Sequence, residues 1–537
     1  MTDEEPVLLP TEKGLTAVWK AVSLYPSSDP VEYARRKARA VSLSPRTLIL
    51  VPSVGLGHGL AELLERLPDG CAVLCVEAHQ QIMALAMAAG LPRDSRLLVI
   101  RSDSEEAAIQ ALHTMGPGRF RRVIEVPLSA GYRLAPAFYA GVRRLLEAGL
   151  REHWRNRLTL IALGSLQVRN AISNIGSLPF AGDFSALSTS LPIIVAAAGP
   201  SLDDAIPLIR ASRGCVVLLA VDTALPRLCA EGLSPDVVIA LEAQAANLED
   251  FLADRGSEVI LACDLSCHPL VPRLFPGRTF FFSSEFAPLR IFGRLERAGL
   301  LPAVFPALGS VGVAAVHAAL RLTTANVYVT GLDFSFSGGR THARGTPRHL
   351  AGLCTAMRTS AVGSDAFQAI HARSPSVSAD KNGMPVLTDS VMLSYREGLV
   401  RTIQGAGGRV VDLGTTGLDL GARRARSPDL ASLARGGSRT GRQISGTDTR
   451  PFSRSAVAAF LQAEARILAA GEKLVGEAAK SGEAAAECLE FLREGDYAWV
   501  HFPDPPDDTV PGRSFFARAG AAARTYKERL RRAASLL

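Results

Sequence analysis

Between residues 191 and 339 the chain repeats one form: an apolar run of strand length ends in a polar or glycine residue, and a helix-like segment follows. LPIIVAAAG (191–199) turns into PSLDDAIPLIRAS, CVVLLAV (215–221) ends at Asp222-Thr223, and PDVVIALE (235–242) ends at Glu242. SEVILACDLS (257–266), TFFFSSE (279–285) and NVYVTGLDFSFSGG (326–339) continue the series. Continuous apolar runs, rather than alternating ones, mark strands buried on both faces. Alternation with helices makes them a parallel sheet covered by helices on either side. A shorter series precedes it. RTLILVPSVGLGHGLAELLERL (46–67) reads as strand, glycine-rich turn and helix, and AVLCVEAH (72–79), LLVI (97–100) and RVIEV (122–126) read as further strands.

A chain of 537 residues exceeds what one core organises. The fold expected is α/β, in four segments. A Rossmann-like α/β domain occupies residues 1–180, and a central α/β nucleotide-binding domain occupies 185–421. An Arg-rich linker covers 422–452, and an α-helical C-terminal domain covers 453–537. The linker holds seven arginines between Arg423 and Arg450 with few apolar residues, and reads as a solvated segment. No RNA- or DNA-binding signature accompanies it, so no nucleic-acid partner is expected. In the last segment Phe460, Ile467 and Leu474 recur at seven-residue spacing, as do Leu461, Leu468 and Val475, an apolar helix stripe that packs on the chain or on a partner.

Several function classes are set aside. The start MTDEEPVLLP is acidic and does not read as a secretory signal. AVFPALGSVGVAAVHAAL (303–320) is interrupted by Pro306, Ser310 and His317, and reads as a buried helix rather than a membrane span. The eight cysteines form no CxxC pair. Cys263, Cys267 and His268 would be half a metal site without a matching half, so no metal is assigned and reduced, buried thiols are expected. The turn Gly55-Leu56-Gly57-His58-Gly59, with Glu77 about twenty residues on, is not a full GxGxxG. It reads as a tight turn, with a ribose-reading Glu77 as the alternative.

In an open parallel sheet, ligands sit outside the carboxyl ends of the strands. The strand-end residues Ser201, Asp222, Thr223, Glu242, Asp264, Ser283, Ser310, Asp333 and His342 therefore define one candidate edge. Ser201 and Ser310 also suit helix N-caps. Gly199-Pro200-Ser201 asks why a glycine, a proline and a small hydroxyl close a buried strand. A helix N-terminus there suits an anionic phosphate: Gly199 allows close approach, Pro200 fixes the turn and Ser201 donates or caps.

These residues resemble a known family. VAAAGPSLD (195–203), AVDTALPRLCAEGLSPDVVIALE (220–242), GSVGVAAVHAAL (309–320), VTGLDFSFSGGRTHARGT (329–346) and LTDSVMLSYREGL (387–399) look like the central domain of the motility accessory factor (Maf) family of flagellin glycosyltransferases. That domain is similar to the archaeal 6-hydroxymethylpterin diphosphokinases (MptE-like, DUF115) and, more distantly, to bacterial sialyltransferases. The resemblance covers about residues 160–421 and rests on GPSLD followed by G-x-D-x-x-x-x-G-x-x-T-H. Glu242 stands where the family pattern would place an aspartate.

The resemblance implies a cytoplasmic enzyme that moves a nonulosonic acid, of pseudaminic or legionaminic type, from a CMP-activated donor to Ser or Thr of flagellin. No resident cofactor is implied with certainty. Asp222, Thr223 and Glu242 would read ribose or cytosine donors, with Gly199, Pro200, Ser201, Ser310 and Thr341 completing the nucleotide and sugar site. His342 would be the base, because imidazole titrates near neutral pH. Asp333 would orient its loop or a sugar hydroxyl. Arg340 and Arg344 would pair with the sugar carboxylate or the phosphate. Two alternatives stay open: a pterin diphosphokinase using ATP and Mg²⁺, with Asp222 and Asp333 holding the metal, and a non-catalytic flagellin-binding factor acting through the helical tail.

Overall fold

The computed structural model describes residues 5–252, 258–434, 444–506 and 511–537. The chain divides into two units, residues 1–162 with 503–510 and residues 163–502 with 511–537.

In the first unit an antiparallel meander of β1 (Val7–Thr11), β2 (Gly14–Trp19) and β3 (Val22–Ser23) precedes the sheet. The sequence reading had missed it. Its Ala17 and Trp19 pack with Leu24 and Tyr25 against Ala34 of the helix Pro30–Ala40. That helix is capped locally: Asp29 accepts from the Glu32 amide and Pro30 occupies the first turn. The expected strands then form a parallel sheet of β4 (Thr47–Pro52), β5 (Ala72–Glu77), β6 (Leu97–Arg101) and β7 (Arg122–Glu125), in the order β6-β5-β4-β7. β4 and β5 are buried along their whole length, which is why they read as unbroken apolar runs.

The glycine-rich turn after β4 is a closed structure. Glu77 accepts from Ser53 Oγ at 2.8 Å, the Val54 amide at 3.1 Å, the His79 amide at 3.0 Å and Tyr139 OH at 3.3 Å. A Cβ at Gly55 would meet Tyr25 OH at 2.4 Å. The carboxylate that a ribose would need is thus spent on the protein's own turn, as the tight-turn reading has it.

The second unit is built on one long parallel sheet. Its strands are β8 (Gly182–Asp183), β9 (Ile193–Ala196), β10 (Val217–Val221), β11 (Val237–Ala240), β12 (Ile260–Asp264), β13 (Thr279–Ser283), β14 (Ala303–Val304) and β15 (Val327–Thr330). After a two-stranded hairpin of β16 (Ser376–Ala379) and β17 (Pro385–Thr388), it is completed by β18 (Val410–Asp412) and β19 (Arg423–Arg424). The order is β14-β13-β12-β11-β10-β9-β15-β18-β19, with β8 beside β13. The chain winds outward from β9 to β14, then returns to the other side of β9 with β15. The strand order therefore reverses between β9 and β15, where Ala196 is in register with both Ala220 and Thr330. That reversal opens a crevice at the carboxyl ends.

The helix Val311–Leu322 packs on β9, β10, β11 and β15 with most of its residues buried, the outcome expected for the 303–320 stretch. Among the described residues no helix is long and apolar enough to cross a membrane. Two segments differ from the sequence reading. Part of the expected Arg-rich linker is structured: Arg423–Arg424 add an edge strand, and Arg423 forks onto Asp429 at 2.7 and 3.0 Å to start the helix Ser427–Ala434. Residues 435–443 of that segment lie outside the described residues. The tail helices fall in the same unit as the sheet. In the helix Arg454–Ser481, Leu461, Leu468 and Val475 are buried, and Glu464 accepts both forks of Arg294, at 2.5 and 2.9 Å, and Tyr497 OH at 3.0 Å. Arg294 belongs to the helix Arg290–Arg297, which follows β13.

Candidate functional site

The switch-point crevice gathers the loops after β9, β15 and β18. Gly199 donates its amide to Gly331 O at 2.8 Å, and a Cβ there would meet Asp333 Oδ2 at 2.2 Å. Only glycine lets the two strand ends approach this closely. Ser201 donates both its amide (3.1 Å) and its hydroxyl (3.0 Å) to Asp333 Oδ2, and its hydroxyl accepts from the Gly331 amide at 3.1 Å. Thr416 donates to Asp333 Oδ1 at 3.1 Å. Ser201 and Asp333 are each 2 % exposed. Burial raises the Asp333 pKa, and its hydrogen bonds from Ser201 and Thr416 and the nearby Lys381 ammonium oppose the rise.

This corrects the sequence reading of Ser201. Its hydroxyl is committed to Asp333 rather than presented to a phosphate, and Pro200 with Gly199 closes the knot. The helix Leu202–Ser212 also carries Asp203 and Asp204 in its first turn, so its positive end already has carboxylates. The helix Val311–Leu322 likewise lacks a side-chain cap, and unlike Leu202–Ser212 it has no acidic residue in its first turn. Ser310 stands at its N-cap with extended backbone and no capping hydrogen bond, contrary to its expected capping role. A Cβ at Gly312 would meet Leu332 at 2.6 Å and Ala197 at 3.9 Å, which puts this N-terminus over the ends of β15 and β9. Free amides there suit an anion better than those of the Gly-Pro-Ser turn.

The polar loop 334–346 returns to the same turn: the Ala343 amide donates to Ala198 O at 2.8 Å. His342 is thereby held beside Gly199, half-buried, with Nδ1 lacking a hydrogen-bond partner. Burial, then the positive charges of Arg348 and Arg373, lower its pKa and keep the imidazole neutral. Thr341 precedes it, half-buried. Arg340 is paired with Asp203 at 2.6 Å, so its guanidinium is already engaged by the protein. Arg227 shares that carboxylate at 3.2 Å. The Arg344 amide also leans on Asp203, at 3.3 Å, while its side chain is exposed.

A second cluster forms at the ends of β10 and β11. Asp222, 1 % exposed, accepts from the Thr223 amide at 2.8 Å and from Asn247 Nδ2 at 3.0 Å, and the same Nδ2 reaches Asp250 at 2.9 Å. Burial, then the charge of Asp250, push Asp222 up to about 7. Burial pushes Asp250 up to about 6. Glu242 stands at the rim with its side chain exposed, and desolvation still raises its pKa. Asn170 and Asn174, one turn apart on the helix Pro136–Ile175, brace the neighbouring loops: Asn170 donates to Ala243 O and Ser266 O, and Asn174 to Leu265 O and Cys267 O. Asp264 and Ser283, expected on this edge, lie buried, and Asp264 accepts the Ser266 and Ser284 amides. Among the described residues no group of three or more His, Cys, Asp or Glu side chains is arranged to hold a metal ion.

Sequence reasoning missed Asp203, Arg227, Asn247, Asp250, Lys381 and Asp412. Lys381 lies in the β16–β17 turn, 3 % exposed, and pairs with Asp412 at 2.5 Å under the crevice. The acidic pair in GPSLDD was the one available signal, because two carboxylates in a first helical turn attract cations.

Residues 167–339 match the 6-hydroxymethylpterin diphosphokinase MptE-like family, so the chain carries an MptE-like domain. A Treponema pallidum (strain Nichols) protein of uncharacterised function is 30 % identical over 351 residues. That match spans 64 % of this chain and 61 % of the relative's length. Over nearly its whole length the chain has the fold of the Maf glycosyltransferase from Magnetospirillum magneticum AMB-1: the TM-score is 0.57 at 15 % identity, covering 99 % of this chain and 90 % of the other.

Proposed function

We propose that the chain is a glycosyltransferase that moves a nonulosonic acid from a CMP-activated donor to Ser or Thr hydroxyls of flagellin. The observation that carries this reading is His342: a neutral imidazole with an unpartnered Nδ1, held beside the Gly199–Ser201 turn at the point where the strand order reverses. The Maf likeness supports glycosyl transfer through the fold alone. The acceptor hydroxyl oxygen attacks the anomeric carbon and forms the new C–O bond. The bond from that carbon to the CMP phosphate oxygen breaks, and CMP leaves with the electron pair. The hydroxyl proton passes to His342. The amides opening the helix Val311–Leu322 receive the phosphate charge, and the Arg344 side chain offers a cation to the sugar carboxylate. Asp222, Glu242 and Asp250 accept hydrogen bonds from the nucleoside.

His342→Gln keeps the size and a hydrogen-bonding tip and removes the base. Transfer from CMP-pseudaminic acid to flagellin is expected to fall about 10²- to 10⁴-fold, with CMP affinity by calorimetry unchanged. Undiminished transfer would remove His342 from the mechanism. The MptE-like match favours one competing reading, phosphoryl transfer from ATP. Titration with ATP and Mg²⁺ separates the two: ATP binding without CMP binding selects the diphosphokinase.

A further inference from the structure

The β16–β17 hairpin has one closed edge and one open edge. The pairing Ser376↔Thr388, Val377↔Leu387, Ser378↔Val386 and Ala379↔Pro385 continues at the turn with the Asp380 amide donating to Met384 O at 2.8 Å. In an antiparallel ladder hydrogen-bonded pairs alternate. Ser376 and Ser378 therefore bond to β17, while Val377 and Ala379 turn their N–H and C=O groups outward. Pro385, which has no N–H, falls opposite Ala379, as that phase requires. The far edge of β17 is covered by the loop that leads to His342: the Phe336 amide donates to Leu387 O at 2.8 Å, and the Thr388 hydroxyl donates to Phe334 O at 2.8 Å. On the β16 side, Val377 and Ala379 have no backbone partner among the described residues, and the Val377 side chain is 72 % exposed.

The open edge leads somewhere. The next outward group, the Lys381 amide, donates to Gly417 O at 2.9 Å. Gly417 lies so close to the switch point that a Cβ on it would meet Asp333 Cα at 2.6 Å. A strand laid along Val377 and Ala379 would therefore run up to Gly417, about 7 Å beyond Ala379, against the residue that holds Ser201.

We propose that the outer edge of β16 is the docking strand for the acceptor: an extended polypeptide segment that carries the Ser or Thr hydroxyl adds there as a third strand. The inference rests on the glycosyl-transfer reading for the name of its occupant. Main-chain pairing gives affinity without demanding one side-chain sequence, and it delivers one end of the segment to the crevice.

The test uses the full chain and purified flagellin of its source organism. Val377→Pro removes the outward N–H, and Val377→Ser keeps it while shortening the exposed side chain. Flagellin affinity is expected to fall at least tenfold in Val377→Pro and to stay within threefold in Val377→Ser. In the unmodified chain, flagellin should slow amide exchange at Val377 and Ala379, a reading that needs no variant to fold. Equal binding by Val377→Pro, no flagellin binding at all, or unprotected Val377 and Ala379 amides in the complex would overturn the assignment. So would a dimer of this chain that Val377→Pro dissociates, because a second copy would then own the edge. A CMP titration of the same samples separates the two failures. CMP binding with an unprotected edge removes the docking strand alone. Absent CMP binding removes glycosyl transfer and leaves the exchange result to be read on its own.

Discussion

Asp222→Asn tests whether the acidic cluster beside the crevice holds protons at neutral pH. Asp222 sits about three pKa units above an ordinary aspartate, at about 7, because it is buried and faces Asp250. One unit is worth about 1.4 kcal/mol, so the gross effect is about 4 kcal/mol. The raised value means that the folded state binds the proton more tightly than the unfolded chain. The associated stability is complete below about pH 4 and is lost as pH rises through about 7, with about 3 kcal/mol of it lost above pH 5. Asp250, at about 6 and bridged by the same Asn247, titrates in the same window, so the steps belong to the pair. His268, His317 and His342 are lowered by burial and pull the other way, gaining stability as pH rises. The difference between parent and variant cancels them. Calorimetric melts from pH 5 to pH 8 should show the parent losing about 3 kcal/mol relative to Asp222→Asn. Curves that stay parallel within about 0.5 kcal/mol would refute the proton-holding cluster.

Arg294→Ala leaves Glu464 buried with only Tyr497 for a partner and should cost about 3–5 kcal/mol in urea denaturation, with Arg294→Met plus Glu464→Leu recovering most of it. Gly199→Ala drives a methyl into Asp333 and Gly331 O and should cost about 1–3 kcal/mol, read as faster amide exchange at Ser201; unchanged exchange would show that the turn can yield. His342→Gln and Val377→Pro, described above, test transfer and acceptor docking separately.

In the two parallel sheets β4 to β7, β9 to β13 and β15 were legible because a parallel-sheet strand has to be written as an apolar run, and the residue ending it has to leave the core; the two- and three-residue β8, β14, β18 and β19 were not. The same logic placed Ser201, Asp222, Asp333 and His342 on one edge. It did not say which of them would be consumed by each other. Ser201 meets Asp333 across 132 residues, and nothing local to either predicts the pairing. Asn247 and Lys381 were invisible for a related reason: one lies in the short 3-10 helix Ala245–Phe251 and the other in a polar turn, and each gains its role only when Asp222 or Asp412 arrives from a distant strand. The β16–β17 hairpin was missed because SVSA and PVLT lack a buried alternating face. The tail stripe was legible. Its attachment was not, since a single Glu464 among surface-like charges looks the same whether solvated or locked to Arg294.

The reversal of strand order also sets a timetable. β9 lies at the middle of the sheet, yet its neighbour β15 is made more than a hundred residues later. Synthesis at about 5–20 residues per second places about 7–26 s between Ser201 and the Asp333 that fixes it. Through that interval IIVA of β9 stands as a bare strand edge on the ribosome. The crevice thus closes only after β10 to β14 have all been made, and the stretch that waits with an open edge is the one that ends in Gly199-Pro200-Ser201.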